Sequence, residues 1–160
     1  MAESNVEIAP RDAPPGLDDS SGGPVPVGVW TLNIKRSQTL SPKSLTLWIL
    51  TNTPTELTWV AVETDPEQQT KVTSWSGRYG GPPQVVVGAG IEARLTCEFK
   101  DGIRTEGEFP GLGSFVEICT LAEGGQRMIC KGQVTSANGI QTYLEDFEWF
   151  GKSPHAPFEL

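Results

Sequence analysis

From Val27 onward, hydrophobic and polar residues alternate in short runs that turn residues separate. The clearest run is Ile91–Phe99, in which every second residue is apolar and the residues between are polar or charged. Alternation with a period of two is typical of strands with one buried face. The predicted strands are Val27–Lys35, Ser44–Thr51, Thr55–Thr64, Thr70–Ser76, Gln84–Val87, Ile91–Phe99, Ile103–Phe109, Ser114–Leu121, Gln126–Val134 and Ile140–Phe150.

These strands follow one another through tight turns, of which Asp101-Gly102 and Asn138-Gly139 carry the strongest hairpin signals. No segment keeps a helical period over three turns. A long meander removes its exposed edges by closing on itself, so we predict an all-β, up-and-down antiparallel barrel of about 8–10 strands over residues 27–151. A two-sheet sandwich with Greek-key connections is the alternative.

Residues 1–26 differ in composition from the rest of the chain. They hold five of the 13 prolines and five acidic residues against Arg11 alone. Apolar residues are too few there to offset the entropy of ordering. We therefore expect a flexible leader, with a lid over the barrel mouth as the alternative, and a short C-terminal tail over residues 152–160.

Length and charge narrow the function classes. The 160 residues suffice for one domain. The net charge of −8 argues against nucleic acid as a partner, since phosphate binding requires a basic face. No run approaches the roughly 18 apolar residues of a membrane span, and Met1–Asn5 lacks the features of a secretion signal. The expected location is the cytoplasm, with no membrane partner.

Cysteine and histidine offer little chemistry. Cys97, Cys119 and Cys130 form no C-x-x-C pair, and we expect them to be small buried residues, with a Cys119–Cys130 bridge across a hairpin as the alternative. The only histidine, His155, lies in the tail. The chain lacks a phosphate-binding glycine loop, a G-x-S-x-G elbow and a histidine-based triad. We expect neither a metal nor a cofactor.

Gly28-Val29-Trp30, within the string GVWTLNIKRS, resembles the G-x-W at the start of the first strand of lipocalins and the wider calycin superfamily. The resemblance covers residues 27–151, including the recurring strand–turn–strand units at Asp101-Gly102 and Asn138-Gly139. It implies a close chain passage at the glycine, a tryptophan packed across one barrel end, and a cavity for one small apolar molecule.

Aromatic residues are the candidates for contacts to such a ligand. Five tryptophans are many for this length, although packing in the core explains them equally well. A loop at the predicted barrel rim adds one basic and one aromatic side chain. The candidate ligand-binding residues are Trp48, Trp59, Trp75, Phe115, Phe147 and Trp149 from strands, with Arg78 and Tyr79 from the loop.

Three polar residues are the candidates for catalysis. Tyr143 and Glu145 share a face of the last strand with aromatic residues, and Glu117 shares one with Phe115. If these faces point inward, the carboxyls lie in an apolar cavity with raised pKa values and can serve as acid or base. The alternative has both glutamates outside and Ile118 and Leu144 inside. Period alone leaves both open.

Three functions remain. The first is a cofactor-independent enzyme that cyclises or isomerises an apolar, natural-product-like substrate, as the calycin resemblance implies. The second is a carrier or sensor of a small hydrophobic molecule. The third is a structural or interaction module whose barrel is filled and whose acidic surface binds a basic partner. Whatever the function, the short strand Gln84–Val87 at an edge suits pairing into a homodimer.

Overall fold

The computed structural model describes residues 23–151 and confirms the predicted fold class. It contains ten antiparallel strands, numbered in chain order. They are β1 Gly28–Leu32, β2 Leu45–Asn52, β3 Glu56–Thr64, β4 Thr70–Arg78, β5 Gln84–Val85, β6 Arg94–Phe99, β7 Ile103–Phe109, β8 Gly113–Ala122, β9 Arg127–Ser136 and β10 Gly139–Gly151.

The strands form one sheet in the order β4-β3-β2-β1-β10-β9-β8-β7-β6-β5. Consecutive strands are neighbours, and β1 also pairs with β10, so the meander closes between its first and last strands. The two free edges, β4 and β5, meet across the remaining gap. Ser74 and Val87 exchange two backbone hydrogen bonds of 3.0 and 2.9 Å there, which makes the barrel nearly closed.

Gly28 sits where the backbones of β1 and β10 approach most closely. Its φ is 130°, and an added Cβ would lie 2.0 Å from the Gly151 carbonyl oxygen. A side chain cannot occupy that space, so the glycine permits the closing strand pair. Together with the buried Trp30, this geometry is compatible with a lipocalin-like barrel.

A packed core fills one end of the barrel. Trp30 and Trp149 have no exposed surface, and Leu50 and Leu57 are equally buried. Val25, from the segment before β1, packs into the same cluster and is 1% exposed. We call this region the closed end. It occupies the end of β2 around Leu50 and the start of β3 around Leu57, and the inward residues farther from the β2–β3 turn line a cavity.

Candidate functional site: a cavity lined by aromatic and carboxyl side chains

A cavity of about 320 Å³ occupies the barrel interior opposite the closed end. Its volume is at the lower end of the roughly 300–1,000 Å³ of small-molecule sites. Inward residues of β2–β4 and β6–β10 form most of its wall. Aromatic and aliphatic side chains make up most of that wall: Leu40, Trp48, Trp59, Ala61, Val86, Ala89, Ala93, Leu95, Phe109, Phe115, Val134 and Phe147.

The aromatic side chains of this wall contact one another. The ring centroids of Trp48 and Phe147 are 5.2 Å apart, and those of Trp48 and Trp59 are 6.4 Å apart in an edge-to-face arrangement. Phe109 and Phe115 stack at 5.5 Å on the other side of the barrel. Such contacts stabilise ring positions beyond simple burial, so the apolar wall has a defined shape.

The three candidate catalytic residues point into this cavity. The Tyr143 hydroxyl donates a hydrogen bond of 2.8 Å to Oε2 of Glu117. Glu145 has no hydrogen bond or ion pair among residues 23–151. Of the two orientations that the alternation left open, the structure therefore has the inward one for the faces that carry Glu117 and Glu145.

Gly132 on β9 makes the Tyr143–Glu117 contact geometrically feasible. It lies between the two residues in register, opposite Glu117 on β8 and Tyr143 on β10. A Cβ on Gly132 would lie 2.0 Å from Cζ of Tyr143. The tyrosine ring thus lies over the bare glycine backbone, which is how a side chain reaches across one intervening strand.

Burial controls the electrostatics of the cavity. It raises the pKa of Glu145 to about 8, with further increases from the nearby carboxyls of Glu117 and Glu63 and an opposing effect from Lys43. Burial also raises the pKa of Glu117, while the hydrogen bond from Tyr143 lowers it. The pKa of Tyr143 is raised by burial first and then by the charge of Glu117. At pH 7 Glu145 is therefore mostly protonated and can still ionise.

A segment between β1 and β2 borders the cavity mouth and contributes Leu40 and Lys43 to the lining. Lys43 Nζ forms an ion pair of 3.3 Å with Oε1 of Glu63. The segment is attached to the barrel by two backbone hydrogen bonds between Gln38 and Leu144, of 2.8 and 2.9 Å. The mouth is therefore bordered by a hydrogen-bonded segment with a charged pair beside it.

Asp146, on the outer face of β10, strengthens that attachment. Its carboxylate accepts hydrogen bonds from Arg36 at 3.2 Å and from Arg127. The backbone N–H of Asp146 donates a hydrogen bond of 3.0 Å to the Ser37 hydroxyl. Burial tends to raise the pKa of Asp146, but the hydrogen bonds from Arg127 and Arg36 outweigh it and lower the pKa. This cluster joins the segment to β9 and β10.

Among the described residues, Thr46 carries the one fully buried side-chain oxygen or nitrogen atom that lacks a hydrogen-bond partner. It is 3% exposed, and its Oγ1 has no hydrogen bond there. Nearly all buried polar side-chain atoms in native proteins have a partner. The hydroxyl therefore offers an unused hydrogen-bonding position in the cavity wall.

Two tryptophans assigned to ligand contact from the sequence, Trp75 and Trp149, do not line the cavity. Both lie in the packed core, and their indole N–H groups donate to the carbonyl oxygens of Gln84 and Val27, each at 3.0 Å. Their alternation is the same as that of Trp48 and Trp59. Register alone does not separate them from the cavity residues, because Trp75 lies directly opposite Trp59 and Trp149 pairs with Trp30, which pairs with Trp48. The difference is the packing around each ring, which encloses Trp75 and Trp149 almost completely.

The two loop candidates, Arg78 and Tyr79, also lie away from the cavity. Arg78 is the last residue of β4, and its side chain is exposed. Its Nη1 lies 4.0 Å from Oε2 of Glu56. Tyr79 packs edge to face on Phe99 with ring centroids 6.5 Å apart, and burial raises the pKa of its hydroxyl. The Gly80 N–H donates a hydrogen bond of 2.7 Å to the Cys97 carbonyl oxygen, so the chain runs beside β6 at this point. The loop therefore borders the closed end.

Cys119 and Cys130 form a disulfide between directly opposed residues of β8 and β9, while Cys97 is free and buried. The expectation of three free thiols is therefore wrong for Cys119 and Cys130, and the structure has the alternative, a bridge across the hairpin. The Glu117 carboxylate and the two sulfur atoms lie within 4.8 Å of one another. Sulfurs bonded to each other are not thiolates, so this group lacks the ligands that a zinc site requires.

Sequence reasoning missed Lys43, Thr46, Glu63 and Gly132. Thr46 and Glu63 have the same parity as Trp48 on β2 and Trp59 on β3, and that parity was the signal that marks them as inward-facing. Lys43 lies outside any strand, and Gly132 acts only through a ring on the next strand. Local sequence carries no signal for either.

The proposed lid falls largely outside the described residues, since only Gly23–Pro26 of the leader are included. Trp30 Nε1 donates to the Pro26 carbonyl oxygen at 3.2 Å, and Asn52 Nδ2 donates to the Val25 carbonyl oxygen at 2.7 Å. This described part of the leader packs across the closed end. The predicted tail at residues 152–160 also lies outside the described residues.

No helix among residues 23–151 has the length and apolar character needed to cross a membrane. In comparisons with known proteins, no family model, no curated protein and no solved structure matches this chain. The basis for assigning a function is therefore the cavity and the groups that face it.

Proposed function

We propose that this protein is a cofactor-independent enzyme that binds a small apolar substrate in the barrel and catalyses its isomerisation or cyclisation. The supporting observation is Glu145, an unpaired carboxyl with a pKa of about 8 in an aromatic-lined cavity, beside the Tyr143–Glu117 pair. Strongly shifted pKa values cluster at functional sites. A mostly apolar cavity with a few convergent polar groups is the usual form of a small-molecule site.

The chemistry of an isomerisation needs only groups of this kind. One proton passes from a substrate carbon to the Glu145 carboxylate, and one proton passes from the Glu145 carboxyl to another atom of the same substrate. The product then has the mass of the substrate, and no cofactor is consumed. A pKa close to the working pH suits a group that both accepts and donates.

The other groups have supporting roles in this proposal. The protonated form of Glu117, held in place by the hydrogen bond from Tyr143, offers a hydrogen bond to a substrate oxygen on which negative charge develops. For a cyclisation, the walls around Trp48, Trp59 and Phe115 hold a flexible substrate in a conformation close to that of ring closure. Both reactions use the same cavity.

One observation favours a second candidate, a non-catalytic carrier of a small hydrophobic molecule. Tyr143 and Glu117 satisfy each other at 2.8 Å, as two polar groups do in the wall of a binding site that performs no reaction. The resemblance of the Gly28-Val29-Trp30 strand to lipocalins, which we propose as the wider relationship, is compatible with a carrier as well as with an enzyme.

The experiment that separates the two candidates measures turnover and binding in the same variants. Purified protein is incubated with an apolar extract of the cells that produce it, and mass spectrometry follows mass-neutral conversion and the ligand retained by the protein. The variants are Glu145→Gln and Tyr143→Phe, with the exposed Glu98→Gln of β6 as the matched control.

The proposal expects Glu145→Gln to lose conversion by at least about a hundredfold, a typical contribution of a general acid or base. Ligand retention should persist, and Glu98→Gln should behave as the parent protein. Retention of a ligand without conversion by the parent protein contradicts the enzyme and supports the carrier. No conversion and no retained ligand contradicts both.

Location and assembly are proposals of the same kind. The sequence favours the cytoplasm, whereas a disulfide such as Cys119–Cys130 is typical of oxidising compartments. Thiol counting on protein trapped with an alkylating reagent at cell lysis tests the cytoplasm, which predicts that Cys119 and Cys130 are alkylated. For the homodimer, sedimentation of the parent protein against a proline variant of Val85 tests pairing at β5.

A further inference from the structure

The cavity contains more acidic than basic groups. Three carboxyl groups, those of Glu63, Glu117 and Glu145, share it with one cation, Lys43. Lys43 is paired with Glu63 at 3.3 Å and has only 15% of its side chain exposed. Glu117 and Glu145 therefore face the cavity without a cation of their own among residues 23–151.

An independent observation comes from Thr46 on β2, which lines the same cavity. Its hydroxyl is buried without a partner, and the residue lies opposite Glu63 in the register of β2 and β3. A buried hydroxyl that the protein leaves unpaired indicates an exchangeable partner, either water or a ligand group that donates a hydrogen bond. The free position is thus on the same side of the cavity as the paired Lys43 and Glu63.

The aromatic side chains provide the third element. Trp48 and Trp59 both line the cavity, and their planes are inclined at 64° to each other. Indole faces attract cations, and an aromatic enclosure combined with carboxylates is the usual environment for an organic ammonium group. A neutral apolar ligand would leave the Glu145 carboxyl and the Thr46 hydroxyl without partners.

We propose that the cavity binds a small protonated amine with an apolar body, its ammonium group held by the carboxylates of Glu145 and Glu117 and by the Thr46 hydroxyl. The indole faces of Trp48 and Trp59 border the ammonium group, and the apolar body lies against the phenyl and aliphatic side chains of the same wall. This inference deepens the proposed function by naming the class of ligand, and it requires no reaction. It rests on the proposed function only in that the substrate is assigned to this cavity.

The groups that face Glu145 determine how binding depends on pH. These are Glu117, Glu63 and Lys43, together with Tyr143, which lies on β10 as Glu145 does. An ammonium group beside Glu145 favours its ionised form, so binding lowers the pKa of Glu145 and releases a proton below pH 8. The affinity for an amine therefore rises as the pH increases from 6 to 8.

The test uses the full chain and two probes of nearly equal shape, 4-phenylbutylamine and 4-phenylbutan-1-ol. Tryptophan fluorescence follows binding, since neither probe has an indole. At pH 8 the amine should bind at least about tenfold more tightly than the alcohol, because charge-assisted hydrogen bonds are stronger than neutral ones. Calorimetry in two buffers of different ionisation enthalpy should detect proton release at pH 7.

Substitutions then assign the preference to its residues. Glu145→Gln should abolish the amine preference while the alcohol still binds, which shows that the cavity remains intact. Thr46→Val should weaken amine binding several-fold. Glu98→Gln, on the outer face of β6, should leave both affinities unchanged.

Equal affinities for the two probes, tighter binding of the alcohol, or no binding of either probe would overturn the inference. A preference that survives in the double variant of Glu117→Gln and Glu145→Gln would also contradict it. Amine binding with no conversion in any extract rejects the enzyme and leaves this inference standing. If the protein converts a neutral substrate and shows no preference for the amine, the enzyme stands and this inference is rejected.

Discussion

The two ends of the barrel interior differ although the same alternation of residues builds both. At the closed end, Trp30 and Trp149 are fully buried, and their N–H groups donate to the carbonyl oxygens of Pro26 and Val27. At the cavity end, Trp48 and Trp59 remain partly exposed and border an empty volume of about 320 Å³. Inward aromatic residues alone therefore do not decide whether a barrel is filled.

Two features account for the difference. The segment Gly23–Val27 crosses the closed end and adds buried apolar surface there, including Val25. At the other end several inward positions carry small residues, which leave space between the large rings: Thr46, Ala61, Thr73, Ala93 and Thr105. A filled end favours stability, and an open end with the unpaired carboxyl group of Glu145 favours binding.

The largest expected difference between the two ends is in the free energy of unfolding when one tryptophan at each end is truncated. Trp30→Ala should lower the free energy of unfolding by about 3–5 kcal/mol, because it leaves a large void in a packed core. Trp48→Ala should cost less than half of that, since its ring already borders a cavity. Urea unfolding of both variants measures the two values, and equal losses would contradict a functional difference between the ends.

The pH dependence of stability tests the acidic side of the cavity. The pKa of Glu145 rises from 4.5 in the unfolded chain to about 8 in the folded protein, so the folded state favours the protonated form. The parent protein should therefore lose stability relative to Glu145→Gln as the pH increases from 4.5 to 8, by on the order of 4 kcal/mol between pH 5 and pH 9. Urea unfolding at pH 5 and pH 9 measures it. A constant difference between the two proteins would place Glu145 in water.

A methyl group at Gly132 sharpens the comparison within the cavity. Gly132→Ala places a Cβ inside the Tyr143 ring position, so the ring must move away from Glu117 at a cost of about 1–3 kcal/mol. The shift of the tyrosine should appear in its ultraviolet absorption and should reduce ligand binding. Gly124→Ala is the control, because nothing lies within 4 Å of its Cβ position, although its φ of 68° adds strain. Unchanged absorption in Gly132→Ala would contradict the placement of Tyr143.

The smallest effect is expected at the cavity mouth. Asp146→Asn weakens the ion pairs to Arg36 and Arg127 and should destabilise the protein by about 1 kcal/mol at pH 7. Because folding lowers the pKa of Asp146, its contribution is present above pH 3.8 and disappears as the pH falls below that value. Hydrogen exchange at Gln38 and Leu144 should accelerate while exchange at Trp30 stays unchanged. Equal acceleration at all three amides would contradict a local role at the mouth.

The fold was predictable from the chain because its evidence is local. Ile91–Phe99 alternates strictly and Asp101-Gly102 takes the positive φ values of 59° and 153° that a tight hairpin needs. Such signals fix strand existence and turn position without knowledge of any partner. The strand ends differ from prediction by a few residues, as at β1, where the chain leaves the sheet after Leu32 and forms a short 3₁₀ turn at Ile34–Arg36.

The candidate site was predictable only in part. Glu117, Tyr143 and Glu145 were selected because they share faces with aromatic residues, and the structure brings all three to one cavity. The same argument selected Trp75 and Trp149, which lie in the packed core. Alternation assigns a residue to a face of its strand and contains no information about the packing around its side chain.

The sequence by itself determined an all-β meander of about 8–10 strands, since the period of two and the turn residues act over a few positions. It favoured closure into a barrel over a two-sheet sandwich, and the tertiary structure decided between them. Only the tertiary structure decided which inward residues meet, because height depends on strand tilt and on the register of every pair from β1 to β10. It decided that Tyr143 crosses Gly132 to reach Glu117, and that Lys43 pairs with Glu63 at the mouth. These contacts join residues that are far apart in the chain, and burial in a shared cavity then raises the pKa of Glu145.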